Sequence, residues 1–152
     1  MGVYENLGLR PLINAYGTVT ILGGSLIPPQ AMAAMADSAR SFVDLNDLQA
    51  KAGERTAQLT RNDAAYICGG AAAGLTIATA VCVAGADPAK IDRLPNTDGL
   101  KNEVIVHRCQ RNSYDIAVRA AGVKLVEIGF AHRTLPWELE AAIGEKTAAV
   151  LY

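Results

Sequence analysis

The chain has 152 residues, 51% of them hydrophobic and 19% charged, a size and balance that fit one globular domain with a buried core. Fourteen Lys and Arg stand against fifteen Asp and Glu for a net charge of −1, and no basic face appears, so nucleic acid is not an expected partner. Cys68, Cys82 and Cys109 are too few and too widely spaced for a zinc cluster or a disulfide framework, so no metal site is expected and the thiols read as reduced, in a cytoplasmic protein. The N-terminus lacks a basic-then-apolar signal pattern, and "MGVYEN" places Asn6 where myristoylation wants Ser or Thr.

In chain order, residues 1–63 read as an N-terminal arm and two helices. "PPQAMAAMADSARSF" opens with prolines suited to a first helical turn and puts Met32, Met35, Ala36 and Ala39 on one face. "DLNDLQAKAGERTAQLT" repeats the period through Leu45, Leu48, Ala52 and Leu59. Residues 64–152 then alternate: "AAYIC" as a strand, 71–84 as a helix apolar on all sides and so buried, and a polar loop with one short helical turn. "EVIVH" is a strand, "SYDIAVRAAG" a helix closed by Gly122, "VKLVEIG" a strand, "LPWELEAAIGE" a helix and "TAAVLY" a last strand. This β-α-β-α-β-α-β order predicts an α/β fold, a mostly parallel sheet covered by helices.

Residues 64–86 carry no charge and are long enough to cross a bilayer. They are mostly Ala, Gly and Thr, and Gly69-Gly70 cuts them into a strand-like and a helix-like piece, so no membrane partner is expected. A tight turn of tiny residues leaves the first amides of the helix approachable, and these with the helix dipole suit a phosphate. Gly69 and Gly70 permit unusual backbone angles, while Ala71 and Ala72 keep side chains out of an anion's way. Close helix–sheet packing without a ligand is the alternative at this point. The stretch is neither a Walker loop nor a G-x-G-x-x-G motif. A nucleotide-binding Rossmann protein fits less well, because no acidic residue ends the strand after the glycine loop.

"RPLINAYGTVTILGGSLIPP" resembles the arm of the selenocysteine synthase-like enzymes, with their Ile-Asn-Ala-x-Gly-Thr segment followed by Leu-Gly-Gly. "FVDLNDLQAKAGERTAQLT", "AAYICGGAAAGL" and "GLKNEVIVHRCQRNSYDIAVRAAGVKLVEIG" continue the resemblance in order, over nearly the whole chain. The resemblance implies the N-terminal part of the fold type I (aspartate aminotransferase) architecture, with 64–152 as the first part of the large domain that binds pyridoxal 5'-phosphate. It implies that Gly70, Ala71 and Ala72 hold the cofactor phosphate and that Gln110, where relatives often carry histidine, lies over the pyridine ring. It implies substrate or cofactor contacts from Asn14, Tyr16, Thr18, Arg108, Arg111, Asn112 and Tyr114. Plainer roles stand beside these: His107 as a strand-end residue, Tyr16 as a packed aromatic, Arg108 and Arg111 as solvated charges. Cys68-Gly69 replaces a Thr-Ser pair, removing hydroxyls that could donate to the phosphate.

The implied reaction is α,β-elimination or β-replacement on an amino-acid or small phosphorylated substrate, with an ammonia-lyase more expected than a selenium transferase. Only nine residues precede Arg10, leaving no room for a tRNA-binding domain ahead of the arm. Such enzymes carry the cofactor on a strand-end lysine and hold its pyridinium with a carboxylate. Lys51, Lys90, Lys101, Lys124 and Lys146 do not fit that position, so the sequence reads as the first portion of a longer enzyme. The alternative is a non-catalytic truncated paralogue that binds a phosphate-bearing ligand or packs as a subunit. A homo-oligomer is expected, because active sites of this fold form between subunits.

Overall fold

In a computed structural model, which describes residues 2–152, the chain divides into two compact units, Met1–Lys51 and Ala52–Tyr152. The first holds α1 (Val3–Asn6) and α2 (Pro29–Ser38), and α3 (Leu45–Thr60) runs across the boundary. Pro28 and Pro29 start α2, since their fixed φ suits a first turn whose amides lack partners. None of the described residues in the first unit is buried, so the face of Met32 and Met35 expected to pack stays exposed.

The second unit continues with α4 (Ala71–Ala84), α5 (Pro88–Arg93), β1 (Glu103–His107), α6 (Asp115–Arg119), β2 (Lys124–Ile128), α7 (Pro136–Ala142) and β3 (Thr147–Leu151). The strands form one parallel sheet in the order β2-β1-β3. Glu103 pairs with Lys124 and His107 with Ile128, as the sequence predicts for neighbouring parallel strands. Val104, Ile105 and Val106 of the central strand are all buried, which follows from helical cover on a parallel sheet. Val83, Val104, Val118 and Val123 make the core cluster, with Leu75, Leu94 and Leu100 packed against it.

Three expectations need correction. "AAYIC" is not a strand: residues 64–68 join α3 to α4 without a place in the ladder, and Tyr66 and Ile67 are exposed. A strand exists only through its pairing partner, and the three strands here pair with one another alone. Helix α4 is not buried all round. Only Thr79, Val83 and Ala84 are buried, because α4 packs one face on α6 and β3 while Ile77 and Val81 face outward. In α3 the buried residues are Gly53 and Ala57 rather than Leu45, Leu48 and Leu59. A Cβ at Gly53 would overlap the Ala65 carbonyl oxygen, so a tiny residue lets the segment entering α4 lie against this helix.

Among the described residues no helix is long and apolar enough to cross a membrane. The uncharged run 64–86 resolves into a connecting segment and the 14-residue helix α4.

Candidate functional site

Helix α4 runs antiparallel to the strands, and this orientation places the site. Near its start, the Thr76 hydroxyl donates to the Ala117 carbonyl of α6 at 2.7 Å. Near its end, Val83 packs with Val104 at the start of β1 and Val123 just before β2. The first turn of α4 therefore lies toward the carboxyl ends of the strands, where open parallel sheets bind ligands.

Gly70 is the N-cap residue of α4, with φ 123° and ψ 179°. A Cβ there would meet nothing within 4 Å, so the backbone angle, not crowding, calls for glycine. No side chain caps the helix. The Gly74 amide donates to the Gly70 carbonyl at 2.9 Å, the first bond of the helix. Among the described residues no acceptor is found for the amides of Ala71, Ala72 and Ala73. The Cys68 thiol donates to the Gly70 carbonyl at 3.4 Å and so bears on the turn's oxygen side, not its amides. Gly70, Ala71 and Ala72 are exposed, so bare N–H groups and the positive end of a 14-residue helix face solvent together.

A second group of residues follows β1. Arg108, Cys109 and Gln110 form a short 3-10 turn at its carboxyl end. The Asn112 side chain closes the next turn: its amide donates to the Gln110 carbonyl at 3.1 Å and its oxygen accepts from the Tyr114 amide at 2.8 Å. The Gln110 and Tyr114 side chains are exposed. Arg108 and Arg111 are both ion-paired, Arg108 at an exposed site and Arg111 at a half-buried one. Arg108 Nε donates to Glu127 Oε2 at 3.2 Å, while Arg111 donates through Nε to Asp115 and through Nη1 to Glu127. The Arg111 pKa is raised, first by its hydrogen bond to Asp115, against desolvation and with the further help of the Asp115 and Glu127 charges. A raised arginine pKa keeps the group charged below its ordinary titration range and loses that stabilisation only as pH rises through the higher value. Arg111 therefore stays charged near neutrality.

His107 is held through Nδ1 by the Thr134 hydroxyl at 2.8 Å, which ties the end of β1 to the segment ahead of α7. Asp115, Glu127 and Thr134 have no role in the sequence reading above. A buried acid, 6% exposed, in the first turn of a helix four residues after an arginine was the available signal for Asp115 only in part, since the spacing is in the sequence and the burial is not.

Asn14, Tyr16 and Thr18 belong to the first unit. The Asn14 side chain donates to the Gly17 carbonyl at 2.7 Å and accepts from the Tyr16 and Gly17 amides, so it builds a turn that presents an exposed Tyr16. At the other end of the sheet, a cleft of about 410 Å³ is lined by Lys101, Lys124 and Lys146 with Asp98, Glu103 and Glu145. No cluster of metal-ligating side chains occurs among the described residues.

Residues 12–152 match the family described as SelA, L-seryl-tRNA selenium transferase. The chain is 39% identical to a D-glucosaminate-6-phosphate ammonia lyase of Salmonella typhimurium, over 99% of this chain and 42% of that protein. It is 34% identical to a 5'-C-glycyluridine monooxygenase-decarboxylase of a Streptomyces species, over 98% of this chain and 39% of the relative. An L-seryl-tRNA(Sec) selenium transferase of Rhizobium meliloti is 33% identical over 94% of this chain and 31% of its own length. The solved structure of a D-glucosaminate-6-phosphate ammonia-lyase superposes with a TM-score of 0.96 at 38% identity, covering all of this chain and 42% of that one. The chain thus spans about two fifths of the length of the ammonia lyase that it matches. Its α/β fold is that of the corresponding part of the solved ammonia-lyase. By this match across 12–152, the chain belongs to the L-seryl-tRNA selenium transferase family.

Proposed function

We propose that the chain forms the phosphate-holding part of a pyridoxal 5'-phosphate enzyme that works by α,β-elimination or β-replacement on an amino-acid or small phosphorylated substrate. The observation that carries this reading is the row of free amides at Ala71, Ala72 and Ala73, opened by Gly70 at the carboxyl side of a parallel sheet. The residues fit the group: bare N–H donors and a helix dipole suit a phosphate dianion, and no side chain intrudes. The bound cofactor supplies an electron sink for charge that develops at the substrate's Cα. In this reading the Gly70–Ala72 turn anchors the phosphate and Gln110 attends the pyridine ring. Tyr16, Thr18 and Tyr114 contact the substrate, while Asn14 and Asn112 shape the turns that carry them.

Ammonia elimination is the favoured reaction, supported by the 39% identity and the TM-score of 0.96 to the ammonia-lyases. Relatives named for a monooxygenase-decarboxylase and a selenium transferase mean that family membership by itself does not choose the reaction. A second reading is a non-catalytic chain that binds a phosphate-bearing ligand or packs as a subunit.

Titration with inorganic phosphate, followed by amide NMR, tests the anchor. The Ala71, Ala72 and Ala73 signals should move together and saturate. Gly70→Val, which places a β-branched residue at φ 123°, should weaken binding by roughly tenfold or more, about 1.4 kcal/mol or above. Amides that ignore phosphate would remove the basis for the cofactor.

Assembly into a homo-oligomer belongs to the same proposal. Ile13, Ile21, Leu26 and Phe42 are each more than 90% exposed, in a unit where no described residue is buried. Light scattering should give a mass of two chains or more, or aggregates. A well-behaved monomer would count against assembly.

A further inference from the structure

We propose that Glu127 and Asp115 are positioning residues, which clamp Arg108 and Arg111 and thereby fix the loop that carries Gln110 at the carboxyl end of β1. The link to the cofactor rests on the function proposed above, whereas the clamp itself does not. Glu127 lies on β2, opposite Val106 of β1, and receives one bond from each arginine. Arg111 uses its planar fork in two directions, Nη1 to Glu127 and Nε to Asp115 at the start of α6. The 108–112 loop is thus stapled to the neighbouring strand and to the following helix at once.

Burial ranks the contacts. The Arg108–Glu127 pair has side chains 57% and 37% exposed, and alone such a pair contributes little. The Asp115 side chain is 7% exposed and Arg111 31%, so the inner contact is the anchor. Removing one partner there leaves a largely desolvated charge unmatched. Two positive and two negative groups sum to zero, so the arginines present no uncompensated charge to an anionic ligand. This argues for loop positioning and against the direct substrate contact that the family resemblance implies for Arg108 and Arg111.

Hydrogen exchange of residues 108–114 in the ligand-free chain is the test. Glu127→Gln and Arg111→Ala should each speed exchange of this segment by about tenfold, leaving β1 protected. The double variant should fall short of the sum of the two effects, since the Arg111–Glu127 bond is common to both. If Arg111→Ala fails to fold because Asp115 is stranded, Glu127→Gln at the half-exposed site still decides the matter, alone and against Arg108→Ala. Unchanged exchange, or effects that simply add, would overturn the clamp. So would tighter binding of inorganic phosphate by Glu127→Gln, which would make Arg111 an anion ligand restrained by its neighbour. Failure of phosphate to move the Ala71–Ala73 amides would instead strike the cofactor proposal and leave the clamp standing.

Discussion

Pyridoxal 5'-phosphate added to this chain and reduced with borohydride should label its lysines without preference. Lys101, Lys124 and Lys146 sit just before or at the first residues of β1, β2 and β3, and together line the cleft there. The first turn of α4 lies toward the other end of the sheet. A five-residue strand separates the two ends by roughly 16 Å at about 3.3 Å per residue, beyond the four-carbon stem of a lysine. Lys90 lies on α5, which follows the far end of α4, and Lys51 lies on α3 in the first unit. Mass spectrometry should therefore find several sites at low, comparable occupancy. A version extended to the length of the relatives should show one preferred lysine and lose that preference when it is replaced. Selective, stoichiometric labelling of one of the five lysines here would mean that the phosphate turn has been placed at the wrong end of the sheet.

Gly122→Ala should destabilise the chain by about 3 kcal/mol, among the largest effects of any single added methyl group. Gly122 has φ 89°, and a Cβ there would overlap the Pro95 carbonyl oxygen and stand 3.0 Å from Thr97 Cγ2. The obstacle is backbone on one side and a buried threonine on the other, so neither yields cheaply. Thr97 also donates its hydroxyl to the Gly122 carbonyl at 2.7 Å, and a shift of this turn would strain that bond. Gly144→Ala is the control: nothing lies within 4 Å of the added carbon and its φ is ordinary, so the expected change is within about 0.5 kcal/mol. Urea midpoints of the two variants measure the difference, and equal midpoints would refute the close approach. Because Gly122 sets the start of β2, the variant should also loosen the contacts that Glu127 makes from that strand.

Sequence by itself determined the elements whose cause is local. The N-cap glycine and a run of residues without a breaker define α4 over Ala71–Ala84, the bounds the sequence predicts. "EVIVH" matches β1 residue for residue, whereas the helix expected to close at Gly122 ends at Arg119 with Ala120 as its cap, and Gly122 at positive φ turns the chain into β2. The bare amides behind Gly70 were legible for the same reason, because a helix start without a capping side chain leaves its first donors open. Asn14 and Asn112, expected as substrate or cofactor contacts, close turns with their own side chains, a role short amides take beside their own backbone. Tertiary structure decided the rest. Whether "AAYIC" is a strand depends on a partner no local pattern supplies, and which face of α4 is buried depends on α6 and β3. The arginines after β1 look alike in sequence. Only the parallel register of β1 and β2 brings Glu127, 19 and 16 residues away, against both, and pairs their charges. Periodicity and capping act within a few residues, whereas charge compensation acts through space, and only the folded sheet fixes that space.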